Sequence, residues 1–254
     1  VGLRHLSAEV KAGDTLVLDG TRGRVILNPR PATRDRYEER RLGLREVEAR
    51  RKALVTLPAT TRDGRTLILA ANMETPADAD LILERGAAGV GLFRTEFFFM
   101  QHHRLPTEDE QYEAYRRVAE RMAPHAVIIR TLDVGGDKFA SYLGADPESN
   151  PFLGVRGIRF LMDHPDIFYT QLRAALRASA HGRIKLLLPM ISGLEELRAA
   201  RAYCRRATEE LAAEGHAFDP ALEIGIMVEV PSTVMMADRM AAEADFFSIG
   251  SNDL

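Results

Sequence analysis

Six near-continuous apolar runs, at residues 66–71, 89–93, 126–130, 185–191, 223–229 and 244–249, recur along most of this chain with helical stretches between them. A strand with one wet face alternates apolar and polar residues. Runs that stay apolar belong to strands covered on both faces, which is the situation of a parallel sheet packed under helices. Parallel neighbours need a long crossover, and each gap here has room for one. The pattern therefore predicts an α/β fold, most of a (β/α)8 TIM-type barrel. About 190 residues carry these six units against ~250 for a complete barrel, so the expectation is a barrel two units short at its C-terminal end.

Local signals place the helices. Thr75 and Pro76 read as an N-cap and first helical residue, with Gly86 as the stop. Thr107 with Glu110 forms a capping box ahead of Tyr112, Tyr115, Val118 and Met122, and Ser192 with Glu195 repeats it at the head of a helix over 193–214. A short helix is predicted from Ser232 to about Ala242, with Met235, Met236 and Met240 as packing residues. The stretch 131–184 is too long for a plain crossover. It holds Asp133-Val-Gly-Gly-Asp-Lys138 and Asn150-Pro-Phe-Leu-Gly-Val-Arg-Gly-Ile-Arg159, and long insertions of this kind commonly carry function.

The first 58 residues read differently. Residues 13–29 are two short β-type runs around an Asp19-Gly20 turn, a hairpin too small to bury a core alone. Residues 33–53 are dense in Arg and Glu with sparse apolar points, which predicts a solvated linker helix; the interleaved acids argue against a nucleic-acid arm. The division expected is 1–32 as the end of a preceding domain, 33–58 as helical linker and 59–254 as barrel. Val1-Gly2-Leu3-Arg4 carries no start Met or signal pattern, and both ends are expected to be cuts. A net charge of −3 gives no field for nucleic acid or an anionic membrane, and no apolar run approaches the ~18 residues of a membrane helix. One cysteine, Cys204, excludes a disulfide framework and predicts a reducing, cytoplasmic setting. Inside a helix it reads as a packed thiol.

Four strand ends carry chemistry. The second run ends on Arg94 and the third on Arg130; the fifth ends on Glu229, and the sixth leads to Asn252 and Asp253. In a barrel these ends share one rim, where active sites sit. Two guanidiniums suit a phosphate or carboxylate held bidentately. Two carboxylates suit Mg²⁺, which takes one or two protein acids and leaves its other positions to substrate and water. Together they are the equipment of phosphoryl transfer. Taken singly, each is equally compatible with an ion pair in a rim network. Asp133, Asp137 and Lys138 are weaker candidates, a loop that binds an anion or only turns.

Gly91-Leu-Phe-Arg-Thr-Glu-Phe97, Arg130-Thr-Leu-Asp-Val-Gly-Gly-Asp-Lys138, Gly154-Val-Arg-Gly-Ile-Arg159, Leu188-Pro-Met-Ile191, Glu229-Val-Pro-Ser232 and Gly250-Ser-Asn-Asp-Leu254 resemble, in order and spacing, enzyme I of the bacterial sugar phosphotransferase system, the phosphoenolpyruvate–protein phosphotransferases. The resemblance runs from about residue 13 to residue 254. It implies that phosphoenolpyruvate and Mg²⁺ bind at the barrel rim. Arg94 and Arg130 match the arginines on the substrate's anionic groups, Glu229 and Asp253 match the metal ligands, Asn252 matches a phosphate contact, and Arg156 matches a further rim arginine. It also implies transfer of the phosphoryl group to a histidine on a swivelling domain and on to the carrier protein HPr for sugar uptake, with a homodimer formed through the barrel. Residues 13–29 match the last hairpin of that swivelling domain. The phosphohistidine motif, the last substrate arginine and the proton-donating cysteine of the family find no counterpart in this sequence, so no catalytic residue is assigned. Cys204 does not match that cysteine. Other readings are the barrel of pyruvate phosphate dikinase or phosphoenolpyruvate synthase, a phosphoenolpyruvate-sensing regulator without catalysis, and a Mg²⁺-dependent aldolase or lyase.

Overall fold

The structure, a computed structural model, describes residues 6–102, 104–134 and 154–254. The Gly135–Lys138 loop and Asn150 lie outside the described residues. The chain divides into two compact units, residues 1–57 and 58–254.

In the first unit a one-turn helix, α1 (Leu6–Glu9), precedes a hairpin of β1 (Leu16–Asp19) and β2 (Arg24–Leu27). The register runs from Leu16 opposite Leu27 to Asp19 opposite Arg24. Four residues therefore connect the strands, more than the Asp19-Gly20 signal alone suggests. The loop closes because the buried Asp19 accepts the Arg22 N–H at 3.1 Å and Gly23 takes a φ of +61°, a region open to glycine at little cost. Helix α2 (Pro31–Leu54) follows, with Pro31 at its first turn and no buried residue. Its Arg40 reaches back to Asp19 at 2.8 Å.

The second unit opens on a small antiparallel pair, β3 (Ala59–Thr60) with β4 (Thr66–Leu67). The run at 66–71 is thus not one strand. Its first residues turn back on 59–60, Ile68 and Leu69 are exposed, and the sheet strand begins only at β5 (Ala71–Met73). After β5 come α3 (Ala79–Glu84), β6 (Gly89–Arg94), α4 (Glu96–Met100), α5 (Glu108–Met122), β7 (Ala126–Arg130), α6 (Ile158–Asp163), α7 (Pro165–Ser179), β8 (Ile184–Leu188), α8 (Leu194–Ala213), β9 (Glu223–Val228), α9 (Pro231–Met235), α10 (Ala237–Ala241) and β10 (Phe247–Ile249). Strands β5 to β10 lie in sequence order in one six-stranded sheet. Every neighbouring pair is parallel, and the sheet curls into a half-barrel.

Amphipathic helices cover it. The buried residues of α5 are Gln111, Ala114, Tyr115, Val118, Ala119 and Met122, and those of α8 are Leu197, Ala200, Cys204, Ala207 and Leu211, each set falling at helical spacing on one face. Phe93, Ile129, Leu186 and Ile226 meet them from the strands with no exposed surface. Each such side chain contributes about 1.5–3 kcal/mol by leaving water. Thr107 and Glu110 form the expected capping box, and Thr75 forms one with Asp78. At α8 the partner differs: Ser192 bonds Glu196, not Glu195, through its N–H at 2.6 Å and its hydroxyl at 2.9 Å. Gly193 is the N-cap, so the glutamate one residue further on faces back. The helix expected from Ser232 breaks at Met236 into α9 and α10. Met240 is fully buried, but Met235 is 84% exposed and does not pack.

Candidate functional site

Arg94 and Arg130 are the last residues of β6 and β7 and sit opposite one another in the parallel ladder. Strand register alone thus delivers two guanidiniums side by side at the C-terminal edge of the sheet. Glu229 follows β9 by one residue, and β10 leads into Gly250-Ser-Asn-Asp253. Arg94, Arg130, Arg156, Glu229, Asn252 and Asp253 all line one cavity of about 470 Å³. Asn72 and Ser248, which sequence reasoning did not single out, line it too.

The arginines are held from behind. Arg130 is 9% exposed; one of its terminal nitrogens lies 3.2 Å from Glu96 and the other 3.0 Å from Asp133. Asp133 in turn accepts two bonds from Arg156, at 2.9 and 3.0 Å. Its carboxylate, 1% exposed, thereby fixes both guanidiniums. These bonds to Asp133 are the first cause holding the Arg156 pKa above its ordinary value. Arg156 also approaches Asp253, at 3.6 Å, and Arg94 pairs with Glu74. A rim network of ion pairs is therefore present, as single residues had suggested. It leaves the Nε atoms of Arg94 and Arg130 and the Thr131 hydroxyl buried with no hydrogen-bond partner among the described residues. Buried donors left this way are costly, and of these residues Arg94 and Arg130 line the cavity.

The acids are arranged with equal care. Glu229 is 3% exposed and accepts the Met190 N–H at 2.7 Å. Met190 adopts φ +58°, an uncommon conformation for a side chain of its type, and this turn aims its N–H at the carboxylate. Gly250 has to be glycine: a Cβ there would fall 2.8 Å from the Glu229 Cβ. Gly157, at φ +57°, would similarly press Met190 and the Asp133 carboxylate. Burial pushes the Glu229 pKa up, the Met190 N–H opposes this, and the Asp133 and Asp253 charges add to it. A desolvated carboxylate facing other carboxylates is a fitting donor for a cation. Among the described residues no group of three or more His, Cys, Asp and Glu side chains is set to hold a metal. Two protein carboxylates are nevertheless sufficient for Mg²⁺, which keeps several non-protein oxygens.

Asp133 was a weak candidate in the sequence and proves to be the tie between two rim arginines. Glu96 and Glu74 carried no assignment. Glu96 stands inside the Arg94-Thr95-Glu96 motif, and its type and place two residues past a strand end were the available signal. Lys138 and Asp137 lie outside the described residues. Cys204 is buried, and burial raises its thiol to about 12, which makes it an inert packing residue. Among the described residues no helix is long and apolar enough to cross a membrane.

A half-barrel of parallel strands with arginines and carboxylates converging at the strand ends defines an α/β domain equipped for a small anion. The chain belongs to the family described as PEP-utilising enzyme, PEP-binding domain, whose model matches residues 48–254. It is similar along its whole length to the phosphoenolpyruvate-protein phosphotransferases of Bacillus sp. (strain S), at 47% identity over 100% of this chain and 44% of that protein, and of Bacillus subtilis (strain 168), at 45% identity over 100% and 45%. That of Staphylococcus carnosus (strain TM300) is 45% identical over 100% and 44%. The chain thus spans less than half the length of these relatives, which are enzymes.

Proposed function

We propose that the rim of the second unit binds phosphoenolpyruvate together with Mg²⁺, as the substrate-binding part of a phosphoenolpyruvate–protein phosphotransferase. The observation that carries this is the convergence of three arginines and two carboxylates on one cavity, with guanidinium Nε donors left unbonded beneath it. Phosphoenolpyruvate carries a phosphate and a carboxylate, and Arg94, Arg130 and Arg156 offer planar donors for both. Glu229 and Asp253 would hold Mg²⁺, which when bound neutralises charge on the transferring phosphoryl group. Asn252 adds a neutral donor to the phosphate. Asp133, bonded to both Arg130 and Arg156, and Glu96, bonded to Arg130, hold these two guanidiniums in place, so little rearrangement is needed as charge redistributes.

On this reading the sheet is six units of a TIM-type barrel, 59–254, preceded by the end of a swivelling phosphohistidine domain at 1–32 and a helical linker at 33–58. The phosphoryl group would pass to a histidine of that swivelling domain and then to HPr, in the cytoplasm and within a homodimer, to drive sugar uptake. The names of the relatives and the family match support this reading. The dikinase, synthase and regulatory readings draw on no observation that favours them.

Arg130→Ala removes one wall of the cavity and leaves Glu96 and Asp133 buried without their partner. In the intact protein, calorimetry should then show Mg²⁺-dependent phosphoenolpyruvate binding weakened by roughly a hundredfold or more, the ~3 kcal/mol of a lost buried charged contact. Unchanged affinity would count against the site.

A further inference from the structure

Gln171 is fully buried in α7, behind the strand ends and not among the residues that line the cavity. An amide in a helix layer is costly unless its donors and acceptor are all used. Here they are. Its Oε1 accepts the Leu132 N–H at 2.9 Å. Its Nε2 donates to the Thr95 hydroxyl at 3.2 Å and to the Tyr115 hydroxyl at 3.1 Å. The Thr95 hydroxyl donates onward to the Arg130 carbonyl at 2.9 Å, and Tyr115 donates to Gln111 at 3.2 Å. Thr95, Tyr115 and Leu132 have no exposed surface.

The placement of these bonds is informative. The Thr131 N–H still bonds across to the Leu187 carbonyl at 3.0 Å; the next N–H, that of Leu132, goes to Gln171 instead. Thr95 directly follows Arg94, and Leu132 comes two residues after Arg130. One side chain thus holds the Leu132 N–H past Arg130 and the Thr95 hydroxyl beside Arg94, from a helix that carries neither arginine. An apolar residue of the same size would fill the space without fixing either strand end. Buried polar networks contribute geometry more than net stability.

We propose that Gln171 is a positioning residue that sets the spacing of the Arg94 and Arg130 guanidiniums and thereby tunes the rim for its anion; this rests on the phosphoenolpyruvate reading above. The test uses the intact protein with Gln171→Met, and Ser179→Ala as a control. Ser179 is buried on the same helix, bonding the Leu176 carbonyl and the Asp219 N–H at 2.6 and 2.8 Å, but lies away from the rim. Calorimetry with phosphoenolpyruvate at saturating Mg²⁺ should show the Gln171 variant weakened roughly tenfold to a hundredfold, as displaced binding groups produce, and the Ser179 variant unchanged within about twofold. Both variants should lose thermal stability. Affinity retained in Gln171→Met, or lost equally in Ser179→Ala, would overturn the proposal. Should the methionine variant not fold, Gln171→Glu, which keeps size and the acceptor for Leu132 but as a carboxylate donates to neither Thr95 nor Tyr115, carries the same test with the same outcomes. If the wild-type protein binds no phosphoenolpyruvate, the functional reading fails by itself. The positioning role is then decided by a crystal structure of the Gln171 variant, where an unchanged separation of the Arg94 and Arg130 guanidiniums overturns it.

Discussion

Glu96 shows how one carboxylate serves two needs at this rim. It accepts the Asp133 N–H at 2.9 Å and faces Arg130 at 3.2 Å, so it holds both the backbone and the side chain of the neighbouring strand end. Burial is the leading influence and pushes its pKa above the ordinary 4.5, against the opposing pull of Arg130. A raised carboxyl pKa means the folded state binds its proton more readily than the unfolded chain does. The corresponding stabilisation is complete below about 4.5 and is lost as pH rises through the raised value. Glu96→Gln keeps the acceptor and removes the titration. Thermal melts at pH 5 and pH 8 should therefore show a smaller fall in Tm for this variant than for the wild type. Equal falls would contradict the assignment. The residue scale is also where sequence reading was least complete. Arg94, Arg130, Glu229 and Asp253 stood out because each ends or follows an apolar run. Glu96, Gln171 and Met190 did not, since their work depends on contacts across 37 to 39 positions of chain, which no local pattern records.

At the scale of single elements, capping chemistry determined what could be read. The Thr107–Glu110 box lies at the start of α5 and is reinforced by Arg104, which bonds both Glu110 oxygens at 2.7 and 2.6 Å. These bonds, Arg104 first and the Thr107 N–H second, hold the Glu110 pKa down at about 2. Thr107→Ala should cost about 1 kcal/mol of stability, the usual loss for an N-cap. It should leave phosphoenolpyruvate affinity unchanged, because neither Thr107 nor Glu110 is among the residues that line the rim cavity. A chemical denaturation curve paired with a binding isotherm checks both halves; a loss of affinity without a loss of stability would refute this separation. Where the local signal was ambiguous the elements shifted. Ser192 found Glu196 in place of Glu195, and the run at 66–71 split because Thr66 and Leu67 pair backwards with Thr60 and Ala59. Apolar composition alone does not distinguish a sheet strand from the arm of a hairpin.

Across the whole second unit, strand order was the most legible property. Continuous apolar runs separated by stretches long enough for crossover helices admit few arrangements other than a sequentially ordered parallel sheet. That arrangement brings every strand's C-terminal end to one edge without further instruction. The site follows from this topology: register sets Arg94 against Arg130, and β9 with β10 bring Glu229 and Asp253 across from them. The details that tune it, Asp133 between two arginines and Gln171 behind two strands, required three dimensions. On the function proposed, this edge holds phosphoenolpyruvate and a divalent cation together. That function is tested most directly by a crystal structure of the intact protein grown with phosphoenolpyruvate and Mn²⁺ in place of Mg²⁺. An anomalous peak bonded to the carboxylates of Glu229 and Asp253 is expected, with the phosphate and carboxylate of phosphoenolpyruvate against Arg94 and Arg130. A peak on other carboxylates, or phosphoenolpyruvate bound away from those two arginines, would contradict it.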